Sequence, residues 1–176
     1  LLLIVVGGMV PAAIPFHDSG GWILRPLGIT LQVPALLLTA LICGPRSAML
    51  AAVAYLSVGL FQLPVFYEGG GISYVLDPGF GYLAGFVPAA WVSGRLARQP
   101  GMGDPLPLAA AAAAGLVVMH LTGLVNLLLG GLAGRWGGAL LPLVLSYTLA
   151  LAPQLLLCCA IGVLAWMLRR LLLMDA

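Results

Sequence analysis

Residues 106–130 read LPLAAAAAAGLVVMHLTGLVNLLLG. The stretch holds no Asp, Glu, Lys or Arg. It exceeds the ~20 apolar residues that a helix needs to cross a bilayer. The whole chain agrees with it: 62% of the 176 residues are hydrophobic, 7% are charged, and mean hydropathy is +1.16. These values predict an all-α integral membrane protein.

Working outward, further apolar runs cover residues 27–44, 47–63, 79–96 and 139–168. One more runs from the N-terminus to Pro15. Together with 106–130 they predict a six-transmembrane-helix bundle, a single domain over residues 1–176. The chain begins with Leu1 rather than Met, so its first residues read as the cut start of a helix. Punctuation falls at 15–26, Gly44-Pro45, 63–83, 99–105 and 130–138, where Gly and Pro concentrate.

All seven basic residues are arginine. A phosphate-cradling loop of the G-x-x-x-x-G-K-[ST] type needs a lysine. Any ATP-driven step therefore requires a partner chain. Net charge is +2 with no basic run, which excludes nucleic acid as a partner. With the N-terminus placed inside, Arg46, Arg95, Arg98, Arg169 and Arg170 fall on cytoplasmic connections, and only Arg25 and Arg135 fall outside. That bias fits the positive-inside rule.

Enzyme chemistry finds little support. Trp91-Val92-Ser93-Gly94 lacks the first glycine of a nucleophile motif, and two separated histidines make no H-E-x-x-H metal site. No catalytic residue, metal or cofactor is assigned. Cys43, Cys158 and Cys159 read as apolar filler, since free Cys packs as a small hydrophobe. A channel would carry a repeated pore element or a charged ring, and neither is evident.

A binding subunit fits better. The external connection 63–83, LPVFYEGGGISYVLDPGFGYL, is long, aromatic and glycine-rich. Its glycines permit left-handed turns. Phe66, Tyr74 and Tyr82, with Trp22, are expected to cover a ligand by apolar contact. Glu68 reads as a rim acid. Asp77 reads either as the start of a helix with Pro78 or as a ligand contact. Thr30 and Gln32 are expected to line a cavity in the outer half of a helix kinked by Pro34, and Gln154 is a second amide at depth. His120, an ionisable group inside an apolar run, reads as a neutral histidine bonded across helices or as a functional one. Gly8 with Ala12, and Ala48 with Ala52, are small-xxx-small pairs suited to close helix contact.

Particular motifs resemble a known family. They are LGITLQ at 27–32, Gly44-Pro45-Arg46, YLSVGLFQLPVF at 55–66, the three glycines 69–71 and DPGFGYLAGFVPAA at 77–90. The chain is similar there to the BioY family, the biotin-binding S components of energy-coupling factor (ECF) transporters. The match is specific over residues 27–96 and weaker beyond. The resemblance implies an S-component fold in a bacterial-type cell membrane, with both termini cytoplasmic. It implies capture of biotin from outside. It also implies docking onto a transmembrane coupling protein and two ATPase subunits, with Gly8 and Ala12 at that interface. One departure stands out. Where the family commonly carries Pro-Gly-Asp followed three residues later by Lys, this chain has Ala152-Pro153-Gln154-Leu155-Leu156-Leu157. Gln154 can still donate and accept, and Arg25 or Arg135 would replace the lysine toward a carboxylate. Another small vitamin as ligand, or a facilitator that works without partners, are the alternatives.

Overall fold

The computed structural model describes residues 1–18, 21–61, 65–66 and 69–172. In chain order its elements are α1 (Leu2–Met9), β1 (Pro11–Asp18), β2 (Gly21–Thr30), α2 (Gln32–Cys43) and α3 (Pro45–Leu60). A short 3-10 turn (Ile72–Leu76) follows, then α4 (Phe80–Ala84), α5 (Phe86–Leu96), α6 (Pro105–Leu132), α7 (Leu140–Leu149) and α8 (Leu151–Leu171).

The runs at 47–63 and 106–130 become α3 and α6 nearly as read. Those at 79–96 and 139–168 each divide in two, and proline is the reason. Pro88 has no N–H for the Ala84 carbonyl, and Pro153 has none for that of Leu149. The ladder is interrupted there, and α5 and α8 each restart with proline as their third residue. Pro34 holds the same position in α2. The kink expected at Pro34 is therefore a helix start, where a missing N–H removes no helical bond.

The first run ends sooner than expected. α1 stops at Met9, and Val10 turns extended at φ −103° and ψ 113°. The chain then forms an antiparallel β1–β2 hairpin, so the purely α-helical expectation is corrected. Pro11, Pro15 and Pro26 deny this stretch a helix interior, while Ile14, Phe16, Trp22 and Ile23 favour extended backbone. Ala12 consequently lies buried in β1. Gly8 faces Gln32, whose side chain is 3.7 Å from where a Cβ would stand. Gly8 and Ala12 share no helix face, so the pairing read from their spacing fails.

Central α2 packs against α1, α3, α5, α6 and α8, and α6 packs most extensively on α8 and α5. Leu36, Leu37, Leu41, Tyr55, Leu108, Leu116 and Leu127 are enclosed in the core. Ala48 and Ala52 are fully buried too, so their small surfaces serve contacts within the bundle. On the outer face Leu121, Val125, Leu128, Leu132, Leu164 and Met167 stay exposed. An apolar exterior around an apolar core suits helices surrounded by lipid. Pro105–Leu132 and the path Leu140–Leu171 are long and apolar enough to cross a membrane, while Gln32–Cys43 and Pro45–Leu60 are shorter apolar helices.

Candidate functional site

The segment after α3 folds back on that helix. Phe66 and Gly69 exchange main-chain hydrogen bonds at 2.9 and 3.1 Å, and the Gly71 N–H donates to the Gly59 carbonyl at 2.8 Å. Gly69 and Gly71 adopt φ of +126° and +106°, a region that favours glycine. The Phe66 ring lies directly on Gly59, where no Cβ could fit. It also packs on Tyr55 and Tyr74, with centroids 5.4 and 4.8 Å apart. Phe66 thus anchors the segment in the core. Asp77 Oδ1 accepts the Gly79 N–H at 2.7 Å just ahead of α4, the helix-start one of its two readings. Glu68 lies outside the described residues.

A cavity of about 410 Å³ opens where the hairpin meets α2, α4, α5, α6, α7 and α8. That volume falls in the range of small-molecule sites. Of the residues singled out from sequence, Thr30, Gln32, Tyr74, Tyr82 and Gln154 line it. Arg25, Phe66 and Asp77 do not. Arg25 pairs with Ile14 in the hairpin and is exposed, and Trp22 is exposed at the hairpin's end, edge-on to His17. Val33, Leu83, Phe86, Met119 and Ile29 supply apolar wall. Among the described residues no Asp, Glu, Lys or Arg lines the cavity.

The hairpin reaches this site through an irregularity. Pro11 pairs with Thr30 and Ala13 with Pro26, so Ala12 stands opposite Leu27, Gly28 and Ile29. Gly28 takes φ +69°, which lets the strand bulge without strain. The bulged stretch Gly28–Ile29–Thr30 is the part of β2 that lines the cavity beyond Pro26.

Polar groups occupy two sides. Gln32 Nε2 donates to the Tyr55 hydroxyl at 2.6 Å, and that hydroxyl donates to the Val65 carbonyl at 2.9 Å. The relay ties the cavity wall on α2 to α3 and to the segment beyond it. Opposite, the Tyr82 ring stacks on Tyr147 at 4.6 Å and meets His120 edge-on at 5.5 Å. Tyr82 is pressed onto Gly123 of α6, leaving no space for a Cβ there. Asn126, on the same helix, donates to the Pro78 carbonyl at 3.2 Å and secures the start of α4.

His120 is buried, with Nδ1 3.2 Å from the Leu116 carbonyl of its own helix. The ring also meets the Tyr147 main chain of α7. His120 therefore bonds within α6 and also meets α7, the contact across helices expected of it. Tyr147, Met119 and Ala150 were not assigned from sequence. Tyr147, Ala150 and Gln154 follow an i, i+3, i+7 spacing, and that spacing carried the missing signal. Ser93 is fully buried beside Gly115 and does not line the cavity, so it forms no site with His120. Among the described residues no group of three or more His, Cys, Asp or Glu gathers as for a metal.

Comparison with known proteins converges on one family. The sequence model of the BioY family matches residues 1–173. A probable biotin transporter BioY of Lysinibacillus sphaericus is 44% identical over 80 residues, which cover 44% of this chain and 41% of that protein. The biotin transporter BioY of Thermotoga maritima is 40% identical over 84 residues, 46% of this chain and 50% of that one. The chain thus matches about half the length of these relatives, or less. That of Rhodobacter capsulatus is 33% identical over 136 residues, 70% of this chain and 63% of its own. Among solved structures, the S-component for biotin from an ECF-type ABC transporter superposes with a TM-score of 0.72 at 18% identity. The superposition covers 96% of this chain and 86% of that one, a likeness of fold.

Proposed function

Because this chain belongs to the BioY family, we propose that it is the substrate-binding membrane subunit of an ECF-type importer. It captures biotin from outside and delivers it inward after docking to a transmembrane coupling protein and an ATPase pair. The observation that carries this reading is the largely apolar cavity of about 410 Å³ with buried polar groups on its wall. Such a chamber suits a ligand with an apolar ring body and a compact polar head. Removing that ring body from water contributes about 25 cal/mol per Å² of apolar surface.

The protein is membrane-embedded, and the finer arrangement follows the same reading. Residues 1–176 form one unit crossing the membrane six times, with α4–α5 and α7–α8 each counting as one crossing. Both termini face the cytoplasm of a bacterial-type cell, which the arginine distribution supports. Arg98 and Arg169 line a second, smaller recess with Ala97 and Gln99, at the end given to the cytoplasm.

Calorimetry on the purified protein at micromolar concentration tests the ligand. Saturable biotin binding is expected, and its absence would overturn the assignment. Mass spectrometry of the small molecule that copurifies separates biotin from another vitamin, a reading that the Gln154 and Leu157 replacements keep in play.

A further inference from the structure

The ends of three helices meet at a recess of about 130 Å³. Leu41 and Ile42 come from the last turn of α2, Ala97, Arg98 and Gln99 from just beyond α5, and Arg169 from the last turn of α8. Two guanidinium groups thus line one small space, and among the described residues no Asp or Glu joins them there. Like charges brought together oppose each other unless an anion lies between them.

Both guanidinium groups are placed by the fold. Gly44 takes φ +83° at the end of α2, and Arg98 Nη2 is 2.7 Å from where a Cβ would stand on it. A side chain at that position would push Arg98 aside. Arg169 Nη1 donates to the Ala97 carbonyl at 3.1 Å, which ties α8 to the end of α5. Helix C-termini favour cations, and that alone accounts for an arginine at each helix end. It does not account for two of them converging on one recess.

The surroundings decide the class of anion. Met167, Leu171 and Leu172 stay exposed on α8 beside Arg169, and the Arg170 guanidinium lies 4.3 Å over the Trp166 ring. Apolar surface ending in a Trp–Arg pair marks the level where a helix leaves hydrocarbon for headgroups. An anion that carries apolar tails can therefore lay them on α8 and bring its charge to the arginines. The recess, about 130 Å³ or roughly four waters at ~30 Å³ each, has room for one phosphate group and not for the tails. Guanidinium groups suit phosphate oxygens in charge and in geometry. We infer that Arg98 and Arg169 hold the phosphate headgroup of an anionic phospholipid in the leaflet at this end of the bundle. On the topology proposed above that leaflet is the cytoplasmic one, where basic pockets between membrane helices bind such headgroups. The lipid joins the ends of α2, α5 and α8, so it stabilises the bundle when bound.

The purified full chain, stripped of lipid in a neutral detergent, tests this. It is titrated with short-chain phosphatidylglycerol, with phosphatidylcholine of the same chains and with inorganic phosphate. Sodium chloride at ~0.15 M screens diffuse surface attraction. Native mass spectrometry reads the bound lipid, and the melting temperature reads its effect. Phosphatidylglycerol is expected to bind at one site at least ~5-fold more tightly than phosphatidylcholine and to raise the melting temperature. Arg98→Gln and Arg169→Gln should each weaken it ~5-fold or more. Arg95→Gln, at the same end but outside the recess, should change it less than about twofold. Equal binding of the two lipids, or equal loss in Arg95→Gln and Arg98→Gln, would overturn the site. Equal stabilisation by inorganic phosphate would give the recess to a free anion and overturn the lipid. Should Arg169→Gln fail to fold for want of its bond to Ala97, Arg98→Gln decides, since that side chain is exposed.

Discussion

At the scale of single residues, the wall of the cavity is polar by placement rather than by charge. Gln154→Leu removes an acceptor of nearly equal volume, so biotin affinity should fall about tenfold while helix content is unchanged, as read by calorimetry and circular dichroism. Tyr55→Phe deletes the hydroxyl that links Gln32 to the Val65 carbonyl. Leaving those groups unpaired should cost about 1–3 kcal/mol, measured as a lower melting temperature in detergent. Gln32 and Gln154 were legible in the sequence because an amide among leucines must find a partner or a cavity. His120 was legible as an ionisable group inside an apolar run. Which carbonyls a helical histidine meets is decided by packing. Arg25 was beyond reach for another reason. Its side depends on strand register, and the strand itself was not foreseen.

Elements were read well where they were long and uniform, and poorly where proline intervened. The runs that became α3 and α6 needed only composition and length. The splits before Pro88 and Pro153 follow from one missing donor each, yet an apolar window averages across them. The hairpin escaped because residues 11–30 combine prolines, aromatics and glycines, a mixture equally suited to a connector. Extended pairing resolves it by giving the main chain its partners. Packing between elements then fixes the site. α4 sits on α6 through Tyr82 against Gly123, with Asn126 holding the Pro78 carbonyl. Gly123→Ala forces that ring away, an overpacking that should cost about 1–3 kcal/mol. The expected readouts are a depressed melting temperature and biotin affinity reduced several-fold. Unchanged values in both would show that Tyr82 can be reseated freely.

For the whole molecule, the proposed division of labour is testable by reconstitution. Vesicles holding this chain with a coupling protein and ATPases should accumulate biotin against a gradient when ATP is supplied. Vesicles holding this chain alone should bind biotin without concentrating it. ATP-dependent accumulation by the chain alone would contradict the proposal, and steady downhill flux without partners would favour a facilitator. The uncharged wall of the cavity carries a further consequence for the environment in which capture occurs. Attraction between exposed charges decays within about 10 Å at ~0.1 M ionic strength, whereas short hydrogen bonds and apolar contact are nearly indifferent to dissolved ions. A chamber whose described lining holds no formal charge should keep its affinity as the surroundings pass from fresh to saline. The calorimetric dissociation constant for biotin should therefore change less than about threefold between ~20 mM and ~500 mM sodium chloride.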